Sequence, residues 1–280
     1  MSASLSVWLE GVSLLAPGMA DWAAGAPVLR GERAYEPAAT VLPVPALLPA
    51  AERRRASRVV KLCLELGLQA CGAAQRDAKD LPSVFCASNG DGHTLHNICE
   101  TLAGPDRLIS PTRFHNSVHN APSGYWSIAT GSMQASQVLC AFDATFSVGL
   151  LEAAVQAHAD AQPVLLLAYD SEYPEPLLGC RPIPDAAGIG MVLNHERSQR
   201  AIAQLRIALS PGAGNGEDTA SLRAAGPAPA MDDMTLAALA RFIPALAGLP
   251  LLRAIAMGDG APVELPRLPG QAIRVEVLPC

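Results

Sequence analysis

The stretch SQVLCAFDATFSVGLLEAAVQAHADAQPVLLLAYD, residues 136–170, contains a strand, a sharp turn, a helix and a second strand. Residues 137–141 predict a short strand, and residues 144–159 have the length and apolar character of a helix. Residues 163–170 form an unbroken apolar run, which is typical of a strand in a sheet that is covered on both faces. The stretch therefore predicts an α/β fold. It also raises the question of whether Cys140, at the end of the first strand, is a catalytic nucleophile.

The same alternation of strands and helices continues on both sides of this stretch. The other predicted elements of this part are strands at residues 5–15, 81–88, 187–194 and 201–209, and helices at residues 50–74 and within 89–104. Residues 16–49 are rich in Pro, Ala and Gly and predict an ordered excursion over the surface. Repeated strand–helix–strand units favour a layered α/β domain.

The composition of the chain changes near residue 211, and this change divides the chain. Residues 1–210 are predicted to form one domain, and residues 211–231 a low-complexity, flexible linker. Residues 232–280 then form a short C-terminal tail that packs on the first domain or on a partner. The tail is predicted to contain a helix at residues 234–247 and strands around residues 251–257 and 272–278.

Composition and charge exclude several classes of function. The net charge is −6, which argues against binding to nucleic acid, because phosphate binding needs clustered Lys and Arg. The basic run at residues 52–61 is interpreted as the solvated start of a helix, with a local acid-binding patch as the alternative. The first residues lack a basic signal-peptide region and no apolar run is long enough to cross a membrane, so we expect a cytoplasmic protein. Only 16% of the residues are charged, which favours a surface partly covered by a partner.

The cysteines and histidines form no metal-binding pattern. No CxxC pair occurs among the seven cysteines, at positions 63, 71, 86, 99, 140, 180 and 280. His115 and His119 are four residues apart, and His93 and His96 are three apart, but neither pair has an evident third ligand. We interpret the first pair as polar contacts of a helix in an interface, and the second as part of a capped surface helix. No metal and no cofactor are predicted.

The residues that follow Ile109 carry a family resemblance. Ser110, Asn120 and Gly124, within ISPTRFHNSVHNAPSGYWSIATG, and Gly149, within VGLLEAA, resemble the N-terminal half of the β-ketoacyl synthases. The strand-and-return sequence GIGMVLNHERSQRAIAQLRIAL also resembles this family. The resemblance implies a thiolase-like layered α/β/α fold, and the length of the chain implies that the second half is truncated.

A narrower resemblance concerns the role of the chain. FHNSVHNAPSGYWSIATG and DATFSVGLLEA resemble short synthase-like proteins of aryl polyene and xanthomonadin-type pigment clusters. These are chain-length-factor-like subunits that pair with a true ketosynthase. The resemblance implies a heterodimer with a full-length β-ketoacyl synthase in fatty acid or polyketide-type polyene biosynthesis, with no independent activity and with acyl carrier protein reached through the complex.

The resemblance also locates the position of the nucleophile. Members of the family have their catalytic cysteine eight residues before the glycine that matches Gly149, and this position is Ala141. Cys140 lies one residue earlier, so its side chain is expected on the opposite face of the strand. A shift of register between Gly131 and Gly149 would instead make Cys140 the nucleophile. The family also uses two histidines from its second half, whereas this chain has no histidine after His195.

The resemblance further implies an interface and a channel. In this family the strand before the nucleophile pairs with its counterpart in the partner, and the candidate interface residues are Ala135, Ser136, Gln137, Val138, Leu139 and Cys140. Candidate wall residues of the acyl channel are Met133, Phe142 and Phe146.

Two alternative functions remain. The first is a small acyltransferase or thioesterase that uses Cys140 with a histidine and Asp143 or Asp170. The apolar neighbours of Cys140 argue against it, because they predict a buried thiol. The second is a homodimeric scaffold that binds acyl carrier protein.

Overall fold

A computed structural model describes residues 4–211, 230–267 and 271–280, and within these ranges eight strands form one sheet. The order across the sheet is β3-β2-β4-β5-β1-β6-β8-β7. Strands β3, β2 and β4 are parallel to one another, and the other neighbouring pairs are antiparallel. The strands are β1 Ser4–Leu15, β2 Ser83–Cys86, β3 Ser136–Leu139, β4 Val164–Asp170, β5 Ala187–Asn194, β6 Ala203–Pro211, β7 Val263–Pro266 and β8 Gln271–Pro279.

Helices cover both faces of this sheet. One apolar core contains buried residues of α3 and α6, and the other contains buried residues of α7 and α10, on the opposite face of the same central strands. The described helices are α1 Trp22–Leu29, α2 Ala50–Arg55, α3 Arg58–Ala73, α4 Gly92–Ala103, α5 Pro111–Asn116, α6 Ala121–Thr130, α7 Thr145–Ala159, α8 Leu177–Cys180, α9 Leu236–Phe242 and α10 Leu249–Met257. The predicted α/β/α layering is confirmed.

The central strand β4 shows why the apolar run predicted it well. Every residue of Val164–Asp170 is buried. Leu165 and Leu167 belong to the core under α3, whereas Val164 and Leu166 belong to the core under α7. Alternate side chains point to opposite faces of a strand, so a strand covered on both faces must be apolar throughout.

Helix α3 packs very closely on the sheet because glycines face it. A methyl group at Gly11 would overlap the carbonyl oxygen of Ala70, and one at Gly190 would overlap the hydroxyl group of Ser13. That hydroxyl donates a hydrogen bond of 2.8 Å to the carbonyl oxygen of Leu66. The helix therefore lies nearly against the backbone of the sheet.

A buried ion pair holds the end of α3 in place. The carboxylate of Glu10 accepts a hydrogen bond of 2.5 Å from Nε of Arg76, and it also accepts from Asn194 at 2.9 Å and Ser198 at 2.6 Å. Burial by itself would raise the pKa of Glu10, but these hydrogen bonds outweigh burial and hold the pKa below its ordinary value. Glu10 is therefore a charged, fully paired group within the sheet.

Three predictions of secondary structure are wrong. The predicted excursion at residues 16–49 contains helix α1, which includes Pro27. The predicted helix at residues 50–74 is two helices, α2 and α3, since the chain is extended at Ala56 and Ser57. The predicted strand at residues 251–257 is helix α10, because a short apolar run fits a buried helix as well as a strand.

The C-terminal residues that the structure describes join the same sheet. Strand β8 pairs antiparallel with β6 and with β7. Pro244–Gly248 forms a 3-10 helix whose Gly248 packs on the ring of Phe146, in α7. Most of the predicted linker lies outside the described residues. None of the described helices has the length and apolar character needed to cross a bilayer.

Candidate functional site

The candidate site lies where the three parallel strands end. The carboxyl ends of β2, β3 and β4 meet at one end of the sheet, which is where open α/β sheets carry their functional groups. Ser88 follows β2, Cys140 follows β3, and Asp170 is the last residue of β4. These three side chains, with the turn that leads from β3 to α7, form the site.

The turn after β3 is strained at Phe142. Ala141 has φ of −134°, whereas Phe142 has φ of 53°, in the left-handed region that costs an ordinary residue about 1–3 kcal/mol. Thr145 stabilises the turn: its hydroxyl accepts from the backbone N–H of Ala141 at 3.0 Å and donates to the carbonyl of Phe142 at 2.7 Å. The residue at the sharpest point of the turn is therefore Phe142, one position after the Ala141 that counting from Gly149 selects. Neither position carries a thiol.

Cys140 is exposed, so the prediction of a buried thiol is wrong. The physical reason is that β3 is the edge strand of the described sheet and Cys140 lies beyond its end. The thiol lies 3.0 Å from the carbonyl oxygen of Ser88, to which it donates a hydrogen bond. Among the described residues, no histidine ring hydrogen bonds to this sulfur. The base that a cysteine nucleophile needs is not in contact with it.

An ion pair lies beside the turn. Nη1 of Arg181, just after α8, donates to the carboxylate of Asp143 at 2.6 Å. The guanidinium carbon of Arg181 lies 3.9 Å from the centroid of the Phe142 ring, a stacking distance at which cation and ring attract each other. Sequence reasoning missed Arg181, because it stands in a Pro-rich loop without any pattern that links it to the turn.

Asp170 is buried and accepts three hydrogen bonds. Its Oδ1 accepts from the backbone N–H of Ser88 at 3.0 Å and from the hydroxyl of Ser88 at 2.6 Å, and its Oδ2 accepts from the N–H of Ala245 at 2.8 Å. Burial raises the pKa of Asp170 to about 6, although these hydrogen bonds and the charge of Arg181 act in the opposite direction. Asp170 therefore holds Ser88 and Ala245 in place at this end of the sheet. It does not position a reacting group.

The candidate wall residues differ widely in exposure. Met133 is 96% exposed and Phe142 is 43% exposed, so both are at the surface of the chain. Phe146 is fully buried, and its ring packs on Gly248. In this chain Phe146 is a core residue, because α7 presents it to the 3-10 helix at residues 244–248.

The candidate interface strand lies at one edge of the described sheet. The backbone N–H of Ser83 donates to Ala135, and that of Ala87 donates to Leu139, so the backbone groups of Ala135, Gln137 and Leu139 face β2. Those of Ser136 and Val138 face away from the sheet. The structure thus places an open strand edge at the residues that the resemblance selected.

The histidine pairs do not form a site. α5 ends at Asn116, so His115 and His119 do not lie on one helix, as the interpretation of this pair required. The ring of His115 packs edge-on against Tyr125, and burial lowers the pKa of His119. Among the described residues no group of three His, Cys, Asp or Glu side chains could hold a metal ion.

The other pair lies on α4. His93 is 3.4 Å from Glu172 and His96 is 3.2 Å from Glu100. The side chain of Asp91 caps this helix by accepting from the N–H of Thr94, as a capped surface helix requires.

Comparison with known proteins places this geometry in a family. Residues 28–236 match the family described as "Beta-ketoacyl synthase, N-terminal domain". A search of curated proteins gave no match. The fold is similar to several solved structures.

The first is the complex of the ketosynthase ApeO with its chain length factor ApeC from Xenorhabdus doucetiae, with a TM-score of 0.69, 19% identity and coverage of 97% of this chain and 99% of that chain. The ishigamide ketosynthase/chain length factor gives a TM-score of 0.69 and 13% identity, and covers 98% and 99%. A β-ketoacyl synthase from Burkholderia phymatum gives 0.65 and 12%, with full coverage of both chains. At these identities the structures show a shared fold. Because the family match covers well over half of the sequence, the chain belongs to the β-ketoacyl synthase family.

Proposed function

We propose that this chain is a non-catalytic, chain-length-factor-like subunit that pairs with an active β-ketoacyl synthase. The observation that carries the proposal is the turn after β3, where Ala141 and Phe142 stand and neither can be acylated. A condensing enzyme forms a thioester on a cysteine at this turn, as the family resemblance implies. In this chain the two residues at the strained turn carry no sulfur.

Condensation has a second chemical requirement. Condensation needs donors that stabilise the enolate formed when the extender unit loses carbon dioxide. The family supplies them as two histidines of its second half, and the sequence contains no histidine after His195. The charged groups beside the turn, Asp143 and Arg181, pair with each other. This pairing supports a turn that is closed by its own side chains.

The open edge of β3 is the proposed contact with the synthase. Ser136 and Val138 direct their backbone N–H and C=O groups outward, and an unpaired strand edge readily accepts a strand from another chain. Pairing there would place Cys140 and Met133 at or near the junction of the two subunits. Met133, at 96% exposure, is an apolar side chain for which burial in an interface is favourable.

The role in chain length follows from side-chain bulk. In the proposed complex, Met133 and Phe142 form the far wall of the acyl channel, and Phe146 supports them from the core. The volume that they leave would set how many two-carbon units fit, since packed interiors tolerate little overfilling. The pathway we propose is polyene biosynthesis of the aryl polyene or xanthomonadin type, in the cytoplasm, with acyl carrier protein as the donor to the complex.

The test is reconstitution with candidate synthases. The chain is coproduced and purified with a full-length ketosynthase, and elongation is assayed with carrier protein and malonyl donor. We expect the chain alone to be inactive and the complex to be active, with Cys140→Ala as active as the wild-type complex. Longer products from Phe142→Ala or Met133→Ala, at unchanged complex yield, would support the wall. Condensation by this chain alone would refute the proposal.

The exposure of Cys140 favours one second candidate, a cysteine-dependent acyltransferase or thioesterase. Such an enzyme would carry its nucleophile at this end of the sheet, and the thiol of Cys140 is exposed there. An acyl-thioester probe distinguishes the two. The second candidate requires that Cys140 be acylated faster than the exposed Cys280, whereas the non-catalytic subunit predicts similar slow reaction at both.

A further inference from the structure

Arg181 is a largely buried charged group, and the proposed function uses only its contact with Asp143. Its side chain is 15% exposed, and its Nη1 donates to Asp143. Nε and Nη2 of the same guanidinium are buried, and among the described residues neither has a hydrogen-bond partner. Buried polar groups are nearly always paired, so two such donors on one side chain need an explanation.

The two free nitrogens are the ones that bind a carboxylate. Nε–H and Nη2–H lie side by side on one edge of the planar guanidinium and can donate in parallel to both oxygens of a carboxylate. The contact with Asp143 uses Nη1, and so leaves this edge unused. A buried donor without a partner is destabilising, and more so when it is charged. An anion at this edge would remove that cost.

The surroundings favour a singly charged ligand. Two carboxyl groups, Asp143 and Asp170, already lie close to Arg181. An additional anion would therefore be held by directional hydrogen bonds and not by an excess of positive charge.

We propose that the Nε/Nη2 edge of Arg181 is a binding site for the carboxylate of a short-chain monocarboxylate, of the size of acetate or butyrate. The site extends beyond the proposed function, because it requires neither a partner nor a condensation step.

Access to the site requires movement of side chains that cover it. Both nitrogens are covered in this structure, and the ring of Phe142 is one of the groups that lie over the guanidinium. Phe142 is 43% exposed, and rotamer changes of exposed side chains take picoseconds to nanoseconds. Because the covered state competes with the ligand, a smaller side chain at position 142 should tighten binding.

The experiment titrates the full-length chain with sodium butyrate by calorimetry, at constant ionic strength maintained with sodium chloride. We expect saturable binding, its loss in Arg181→Met, and at least about tenfold weaker binding in Arg181→Lys, which keeps the charge but not the planar edge. Phe142→Ala should bind more tightly than wild type. Arg206→Met is the matched control, because Arg206 pairs with Glu276 on exposed strands, and it should bind as wild type does.

Three results would overturn the proposal. The first is equal binding by wild type and Arg181→Met. The second is no saturable binding by either wild type or Phe142→Ala. The third is equal affinity for inorganic phosphate and butyrate, which would indicate a simple cation site. If circular dichroism shows that Arg181→Met is unfolded, Arg181→Lys decides between a planar donor edge and a point charge.

Discussion

The carboxylate of Asp170 accepts a hydrogen bond from the backbone N–H of Ala245, at 2.8 Å, and so ties the end of β4 to a turn 75 residues later in the chain. Within the described residues, this contact fastens the 3-10 helix at residues 244–248 to the end of the sheet that bears the candidate site. The same carboxylate fixes Ser88, which in turn accepts from the thiol of Cys140. The geometry at this end of the sheet therefore depends on the buried carboxylate of Asp170.

The first prediction is that Asp170 makes stability fall as pH rises from about 4 to about 6. Its pKa is raised from 3.8 to about 6 in the folded chain, so between these values the folded state binds more protons than the unfolded state. By linkage, the contribution of Asp170 to stability is largest below pH 4 and is reduced above pH 6, by an amount on the order of 2–3 kcal/mol. In urea unfolding across this range, the stability of wild type relative to that of Asp170→Asn should fall as pH rises. The exposed Asp232→Asn is the control, and equal slopes in wild type and Asp170→Asn would contradict the prediction.

The second prediction concerns the open edge of β3. Val138→Pro should weaken the complex with the ketosynthase at least about tenfold, because proline removes an outward N–H without taking a hydrogen bond from β2. Val138→Thr keeps the N–H and the branched shape, and is expected to bind normally. Size-exclusion chromatography with light scattering measures both. Unchanged binding by Val138→Pro would show that the two subunits meet elsewhere.

The third prediction is a footprint of the same contact. In the isolated chain, iodoacetamide should modify Cys140 and Cys280, which are exposed, but not Cys86, which is buried. Burial also raises the pKa of the Cys86 thiol well above its ordinary value, which leaves little reactive thiolate. In the proposed heterodimer, Cys140 should become protected, by at least about tenfold in rate, while Cys280 should not change. Mass spectrometry of the labelled peptides measures each site, and equal labelling of Cys140 with and without the synthase would contradict the proposed interface.

The fourth prediction concerns the packing of α3 on α6. A methyl group at Gly67 would overlap the indole ring of Trp126, which is fully buried. Gly67→Ala should therefore destabilise the chain by about 1–3 kcal/mol, although alanine is the better helix former. Gly72→Ala, in the same helix with open space around it, is the control and should be neutral or stabilising by up to about 1 kcal/mol. Thermal unfolding compares the two, and a stable Gly67→Ala would show that Trp126 can move aside.

The elements that the sequence predicted best are those whose burial is uniform. β5 has the predicted bounds, Ala187–Asn194, and all its residues are buried. By contrast, α10 was predicted as a strand, since a short apolar run without clear periodicity carries no information about which structure buries it. Helix α1 was not predicted because proline usually breaks a helix, whereas Pro27 lies inside this one.

The candidate site was predicted in part. The family resemblance led to the turn and to the edge strand, and the structure places Cys140 and the strand before it together at an open edge. The pairing of Asp143 with Arg181 and the hydrogen bonds of Asp170 with Ala245 could not be read from sequence, because they join segments that only the topology of the sheet brings together. The exposure of Cys140 is likewise a property of where the sheet ends.

The outward-facing N–H and C=O groups of β3 have a consequence for how the protein must be produced. A strand edge that awaits a partner is also a template for any other extended chain, including a second copy of itself. Under the proposed function, copies made in excess of the ketosynthase would pair with one another through this strand edge, so we expect the two proteins to be produced in matched amounts.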